Sequence, residues 1–282
     1  MTRYLIAGAD GMLGRDLVAA LAGRDVTALG RGGLDITNGA AVDLAVAGHD
    51  VVINAAAYTR VDDAESDEDA AMAINAVGAL NLARAAAVHS AISVQVSTDY
   101  VFDGSATTPY PENAPRQPVS AYGRTKAEGE RLVLDANPER SYIVRTAWLY
   151  GAGGRNFTTT MLGLAATRDE VSVVDDQFGQ PTWTRDLAGK IVEMLDVRAP
   201  FGIYHGTNTG VASWFEFARA VFMNAGLDPD RVKPTTSTAF VRPAPRPAYS
   251  VLGHGAWHEA GMTPLRHWRE ALSEAMTDNL ME

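Results

Sequence analysis

The chain contains no cysteine among its 282 residues, so disulfides, thiolate metal ligation and a cysteine nucleophile are all excluded, in keeping with a reducing compartment. Long apolar runs are missing too. The first, Tyr4 to Ala7, stops where glycines begin, and neither a signal peptide nor a membrane span is expected. Positive charge is scarce, with 24 Lys and Arg against 34 Asp and Glu and a formal net charge of −10. That balance argues against nucleic acid or an anionic membrane as a partner, and an anionic ligand would need a local basic pocket. The six histidines have no metal-ligand spacing, and there are no repeats or low-complexity tails. The expectation is a soluble, cytoplasmic protein whose 46% hydrophobic residues can build one large core or two smaller ones.

What is present begins with Arg3-Tyr-Leu-Ile-Ala-Gly-Ala-Asp-Gly-Met-Leu-Gly-Arg-Asp-Leu-Val-Ala-Ala-Leu21, which reads as strand, tight turn and helix, with glycines at 8, 11 and 14. Glycines let a chain turn sharply and let a diphosphate approach its backbone, and a helix N-terminus offers free N–H groups to anionic oxygens. The spacing G-x-x-G-x-x-G alone fits a dinucleotide cradle or a structural turn equally well. Further apolar runs end at Asp25–Leu29, Asp50–Ala57, Ile92–Ser97 and Ser141–Trp148, with helical patterns between most of them. That alternation predicts an α/β fold with a doubly wound parallel sheet, whose ligands gather at the carboxyl ends of the strands. Those ends carry Gly8, Arg31, Ala55 to Thr59, Ser97 to Asp99 and Thr146 to Trp148.

Two residues compete for the adenosine end of a dinucleotide. Asp35 lies 21 residues after Gly14, near the spacing of a ribose-binding acid, while Arg31 follows the second strand, where a cation can hold a 2′-phosphate. The reading leans to Arg31 on phosphate and Asp35 near the adenine, hence to NADPH over NADH; ordinary solvated loop residues are the alternative. Between Asp62 and Asp69 six of eight residues are acidic. A divalent metal site is one reading, and carboxylates leading into the N-terminus of an Ala-rich helix from Ala70 to about His89 is the favoured one. On that helix Asn75 needs a buried partner.

Tyr122 and Lys126, four residues apart, share one face of a helix. Lowering a phenol pKa from about 10 by about 3 units takes roughly 4 kcal/mol, which a desolvated ammonium nearby can supply. The pair is common on surfaces, but here it follows a glycine cradle and the strand end Ser97-Thr98.

Together these residues resemble the extended short-chain dehydrogenase/reductases. The segments Asn54-Ala-Ala-Ala-Tyr-Thr-Arg-Val-Asp62, Ser97-Thr-Asp-Tyr-Val-Phe102, Arg145-Thr-Ala-Trp-Leu-Tyr-Gly151, Asn156-Phe157 and Val174-Asp-Asp-Gln-Phe-Gly-Gln-Pro-Thr182 are similar to the dTDP-4-dehydrorhamnose reductase family. The resemblance spans nearly the whole chain. It implies that Thr98 hydrogen-bonds the substrate carbonyl, that Tyr122 donates the proton, and that Lys126 holds the nicotinamide ribose and tunes the tyrosine. It implies further that Gly8, Gly11, Met12, Leu13 and Gly14 line the diphosphate, with Ile36, Ala55, Ala56, Ala57, Tyr58 and Thr59 also beside the cofactor. Thr59, Asp99, Tyr100, Trp148, Asn156 and Arg246 fall on the substrate side, with a packed core tryptophan as the alternative for Trp148. The sequence departs from the family at Tyr58, where histidine is frequent, and at Tyr249 in Arg246-Pro-Ala-Tyr-Ser250, where asparagine is usual.

The second half predicts helices over Phe157–Thr167, Thr184–Leu195 and Ser213–Ala225 and a strand over Gly202–His205. Residues 1–147 are read as a dinucleotide-binding domain and 148–282 as a smaller substrate-binding domain, with elements near 171–208 returning to the sheet. The segment Val241–Tyr249, with three prolines and Arg242 and Arg246, reads either as a rigid linker or as a guanidinium clamp on a nucleotide-sugar diphosphate. The expected activity is NAD(P)H-dependent reduction of a dTDP-linked 4-keto-6-deoxyhexose, dTDP-4-dehydro-L-rhamnose to dTDP-L-rhamnose. The alternatives are a ketoreductase for another deoxysugar and a regulatory subunit of this fold, as in the β subunit of methionine adenosyltransferase. A homodimer and a divalent metal are left open.

Overall fold

The computed structural model describes residues 1–277. Its centre is a sheet of six parallel strands: β1 (Arg3–Ala7), β2 (Asp25–Leu29), β3 (Val51–Asn54), β4 (Ile92–Thr98), β5 (Ser141–Thr146) and the strand Gly202–His205. The order across the sheet is β2, β1, β3, β4, β5 and then Gly202–His205. Strands β3 and β5 are buried along their whole length, which is why their centres, Val51–Ile53 and Tyr142–Val144, read as apolar runs rather than alternating ones. The order switches between β1 and β3, whose ends at Ala7 and Asn54 stand in register, and a ligand crevice belongs at that switch.

Helices α1 (Met12–Ala20), α2 (Gly39–Val46), α3 (Glu68–Met72), α4 (Ala79–Val88), α5 (Ala121–Ala136), α6 (Phe157–Ala165), α7 (Thr184–Asp196) and α8 (Trp214–Asn224) follow in chain order. On one face, Leu13, Leu17 and Leu21 pack with Leu187, Ile191 and Met194 over Ile6, Ile53 and Val144. On the other, Val42, Val46, Leu82 and Ala86 cover Leu5 and Val52. A π-helical stretch, Ala73–Gly78, joins α3 to α4. The continuous helix Glu68–Val88 is long and apolar enough by composition to cross a membrane, but half of its apolar window is buried against the protein. Asn75 does find its partners there: its side chain accepts from the Tyr58 amide at 2.9 Å and donates to the Tyr58 carbonyl at 3.1 Å and to Thr125 Oγ1 at 3.0 Å.

Of the stretch 171–208, Gly202–His205 joins the sheet beside β5, whereas Val171–Val174 pairs in parallel with Val232–Thr235. A separate apolar cluster lies beyond the sheet, built from Tyr150, Met161, Val173, Trp183, Phe217, Phe222, Trp268 and Leu272.

Candidate active site

Two of the three N-terminal glycines are required sterically. Gly8 has φ +83°, and a Cβ there would lie 2.5 Å from the Ala56 amide nitrogen; one at Gly14 would lie 2.2 Å from the Gly8 carbonyl oxygen. They bring the turn after β1, the end of β3 and the start of α1 into contact. Gly11 caps α1 without a side-chain hydrogen bond, and the first turn holds no acid, so the leading amides of the helix face outward with no intrahelical partner. A backbone cradle of this kind fits a dinucleotide diphosphate.

The cleft in front of it has a volume of about 510 Å³. It brings together Gly11, Met12, Leu13 and Gly14 with Ala55, Ala56, Ala57 and Thr59 from the end of β3. Thr98, Asp99 and Tyr100 enter from β4, Tyr122 and Lys126 from α5, and Trp148 from the turn after β5. Ser120 caps α5 by accepting from the Gly123 amide at 3.1 Å, so Tyr122 stands in the first turn and Lys126 one turn on. Trp148 lines the cleft and also stacks on Trp214 with ring centroids 3.6 Å apart, held at φ +49°. Arg155, which sequence reasoning passed over, lines the same cleft.

The titratable groups are buried. Lys126, 4% exposed, donates to the Val96 carbonyl at 2.7 Å, and burial lowers its pKa to about 8 against the opposing pull of Glu130. Burial raises the Tyr122 phenol above its ordinary value, and a hydrogen bond with Thr98 partly offsets this. A lowered phenol pKa is therefore not what the structure has: burial sets the direction, and the Lys126 ammonium donates to the Val96 carbonyl. A phenol that stays protonated is what a proton donor needs. Thr98 Oγ1 donates to Asp99 Oδ1 at 2.9 Å and accepts from the Tyr100 amide at 3.2 Å.

Other sequence candidates lie elsewhere. Arg31 and Asp35 are exposed beyond β2 and outside the cleft wall, and Asp35 accepts from the amide and hydroxyl of Thr37. Ile36 is a core residue packed with Val42 and Leu82. Tyr58 is buried behind Thr59 under Arg60, whose guanidinium lies 4.9 Å from its ring centre. Asn156, expected on the substrate side, is placed at the start of α6. It caps α6, accepting from the Thr159 amide at 3.1 Å and donating to the Gly151 and Gly154 carbonyls at 2.8 and 3.1 Å, so its side chain is already spent. Arg246 opens instead onto a second cavity of about 420 Å³, shared with Tyr100, Phe157, Gln177, Trp214 and Arg242. It is steadied there by Asp62 at 2.9 Å.

Several acids of the run from Asp62 to Asp69 are engaged in contacts. Glu65 accepts from the Ala121 amide at the start of α5 at 2.8 Å, Glu68 pairs with Arg124 at 2.6 Å and Asp63 with Arg60 at 3.2 Å.

Residues 2–281 match the family model described as the RmlD substrate binding domain. The chain is 55% identical to a dTDP-4-dehydrorhamnose reductase of Streptomyces griseus, covering 97% of this chain and 92% of the relative. It is 50% identical to a dTDP-4-keto-6-deoxy-D-glucose reductase of Streptomyces niveus, covering 97% and 96%. A solved structure of dTDP-4-dehydrorhamnose reductase from Bacillus anthracis in complex with NADP superposes with a TM-score of 0.95 at 38% identity, covering 99% of this chain and 100% of that one.

Proposed function

The chain belongs to the dTDP-4-dehydrorhamnose reductase family, and from that premise we propose that it reduces the C4 ketone of dTDP-4-dehydro-L-rhamnose to give dTDP-L-rhamnose. The observation that carries the reading is the convergence of Thr98, Tyr122 and Lys126 on one cleft with a glycine cradle at its other end. Three buried polar groups brought together from the end of β4 and from α5 would cost stability without a task. A regulatory subunit would not need them.

The nicotinamide cofactor, when bound, supplies the hydride. The amides at Gly11–Gly14 hold its diphosphate, and Lys126, with protons to donate inside the cleft, holds the ribose beside the ring. Thr98 grips the ketone oxygen, and Tyr122 delivers a proton to that oxygen as it becomes an alkoxide. Trp148 flanks the sugar. Arg246 and Arg242 take the nucleotide diphosphate in the adjoining cavity, where planar guanidinium suits phosphate oxygens. Arg31 favours NADPH, and Asp35 moderates that preference. The reading places the enzyme in the cytoplasm.

Incubating the protein with NADPH and dTDP-4-dehydro-L-rhamnose and identifying the product by NMR tests the reading. Formation of dTDP-L-rhamnose supports it. The C4 epimer alone would move the assignment to a ketoreductase for another deoxysugar, a reading that the Streptomyces niveus relative, at 50% identity, keeps in play. No turnover of any keto sugar would refute both.

A further inference from the structure

The hydroxyl of Thr98 has one hydrogen and two claimants. Asp99 Oδ1 takes it at 2.9 Å, while the phenol of Tyr122 is hydrogen-bonded to the same oxygen, and the Tyr100 amide occupies a lone pair at 3.2 Å. With Asp99 ionised, the carboxylate is acceptor only and the hydrogen stays on that side. Thr98 then has nothing to donate to a ketone. With Asp99 protonated, its own O–H donates to Thr98, and the Thr98 hydrogen turns toward the cleft.

We propose that Asp99 is a positioning residue whose proton decides which way the Thr98 hydroxyl points, so that the ketone is gripped only while the carboxyl is protonated. This rests on the reading of the cleft as a ketone-reducing site. Asp99 is 2% exposed and lines the cleft wall, and its Oδ2 is buried with no partner of good geometry. An oxygen without a donor is costly for an ionised carboxylate, and a proton placed on Oδ1, the oxygen 2.9 Å from Thr98, relieves that charge and gives Oδ1 a hydrogen to donate. The Ser250 hydroxyl is the side chain that most offsets the burial. The other groups facing the carboxyl are the phenols of Tyr100 and Tyr122, with Lys126 farther along the same wall and Asp62 and Arg246 behind Tyr100. Burial raises the Asp99 carboxyl to about 6, so its proton is lost within an accessible pH range. Lys126, at about 8, titrates separately.

The sign follows directly. Raising pH through about 6 removes the proton from Asp99, reverses the Thr98 hydroxyl and lowers kcat/KM. Loss of one donor to a developing oxyanion costs about 10²-fold, so kcat/KM should fall about tenfold per pH unit toward a floor about 10²-fold lower. Cofactor affinity should stay level through the same range.

The test is the pH profile of kcat/KM for the holoenzyme with dTDP-4-dehydro-L-rhamnose, in wild type, Asp99→Asn and Ser250→Ala. An asparagine amide donates to Thr98 as the protonated acid does. Asp99→Asn should therefore keep kcat/KM near the low-pH plateau of the wild type and lose the descending limb near 6. Ser250→Ala removes the group that favours the carboxylate and should move the limb to higher pH. A limb that persists in Asp99→Asn, or a folded Asp99→Asn inactive at every pH, overturns the proposal. If Asp99→Asn does not fold, an unmoved limb in Ser250→Ala does the same. Wild type without turnover of any keto sugar would instead refute the proposed function, whereas wild type that turns over with no limb near 6 refutes only the role of Asp99.

Discussion

Replacing Arg145 with methionine should damage this protein more than its position in a central strand would indicate. Arg145 is 1% exposed and Glu130 fully buried, joined by a paired contact of 2.9 and 2.7 Å. Ser97 donates to the same carboxylate at 2.6 Å, and Arg116, 29% exposed, stands 3.5 Å away. Arg145→Met leaves Glu130 with a hydroxyl and one distant, half-solvated cation. Breaking a buried pair from one side costs about 3 to 5 kcal/mol. For a chain of this size that corresponds to a fall in Tm of about 6 to 20 °C. Removing both charges in Arg145→Met with Glu130→Gln should recover much of the loss, because the glutamine carbonyl still accepts from Ser97 and only the Glu112 carbonyl loses its donor, at about 1 kcal/mol. Urea unfolding followed by circular dichroism measures all three variants. If the double variant loses the sum of the two single losses, the pair is not coupled and the reasoning fails.

Tyr122→Phe keeps the ring and its edge contact with Tyr100, so it should bind NADPH normally while kcat falls about 10²-fold or more, read by cofactor absorbance. Arg31→Ala should raise the KM for NADPH about tenfold, the scale of one charge-assisted bond, and leave NADH nearly unchanged; equal losses would make Arg31 structural. Gly8→Ala, which forces a Cβ to within 2.5 Å of the Ala56 amide, should weaken NADPH binding in a fluorescence titration. His205 is held neutral, its pKa lowered to about 3 by burial and Arg145. The unfolded chain then binds the extra proton first, so stability should fall as pH drops below about 6.5. His205→Asn, which retains a donor for the Gly253 carbonyl, should flatten that acid-side slope in urea midpoints.

The parallel strands were legible because burial on both faces leaves near-continuous apolar runs, as in Val51–Asn54. The cleft was legible because such a sheet gathers ligands at its strand ends, and Thr98, Tyr122 and Lys126 do meet there. Asn-Phe-Thr-Thr at Asn156 is an ordinary helix-start signal, and the structure uses it as a capping box. A loop isoleucine next to two cofactor candidates gives no hint that the Ile36 side chain fills the space over Gly78. The pairing of Val171–Val174 with Val232–Thr235 has no local signal, since a parallel partner is chosen by the tertiary fold. The Lys126–Tyr122 spacing placed both groups correctly, but spacing carries no information on burial, and burial decides the direction of the phenol's shift.

The central claim is tested most directly by turning over dTDP-4-dehydro-L-rhamnose with NADPH dideuterated at the nicotinamide C4, in ordinary water, and reading the sugar by NMR. The account predicts dTDP-L-rhamnose with deuterium at C4 of the sugar and the hydroxyl proton drawn from solvent through Tyr122. Cofactor oxidation with protium at C4, or no oxidation at all, would contradict it.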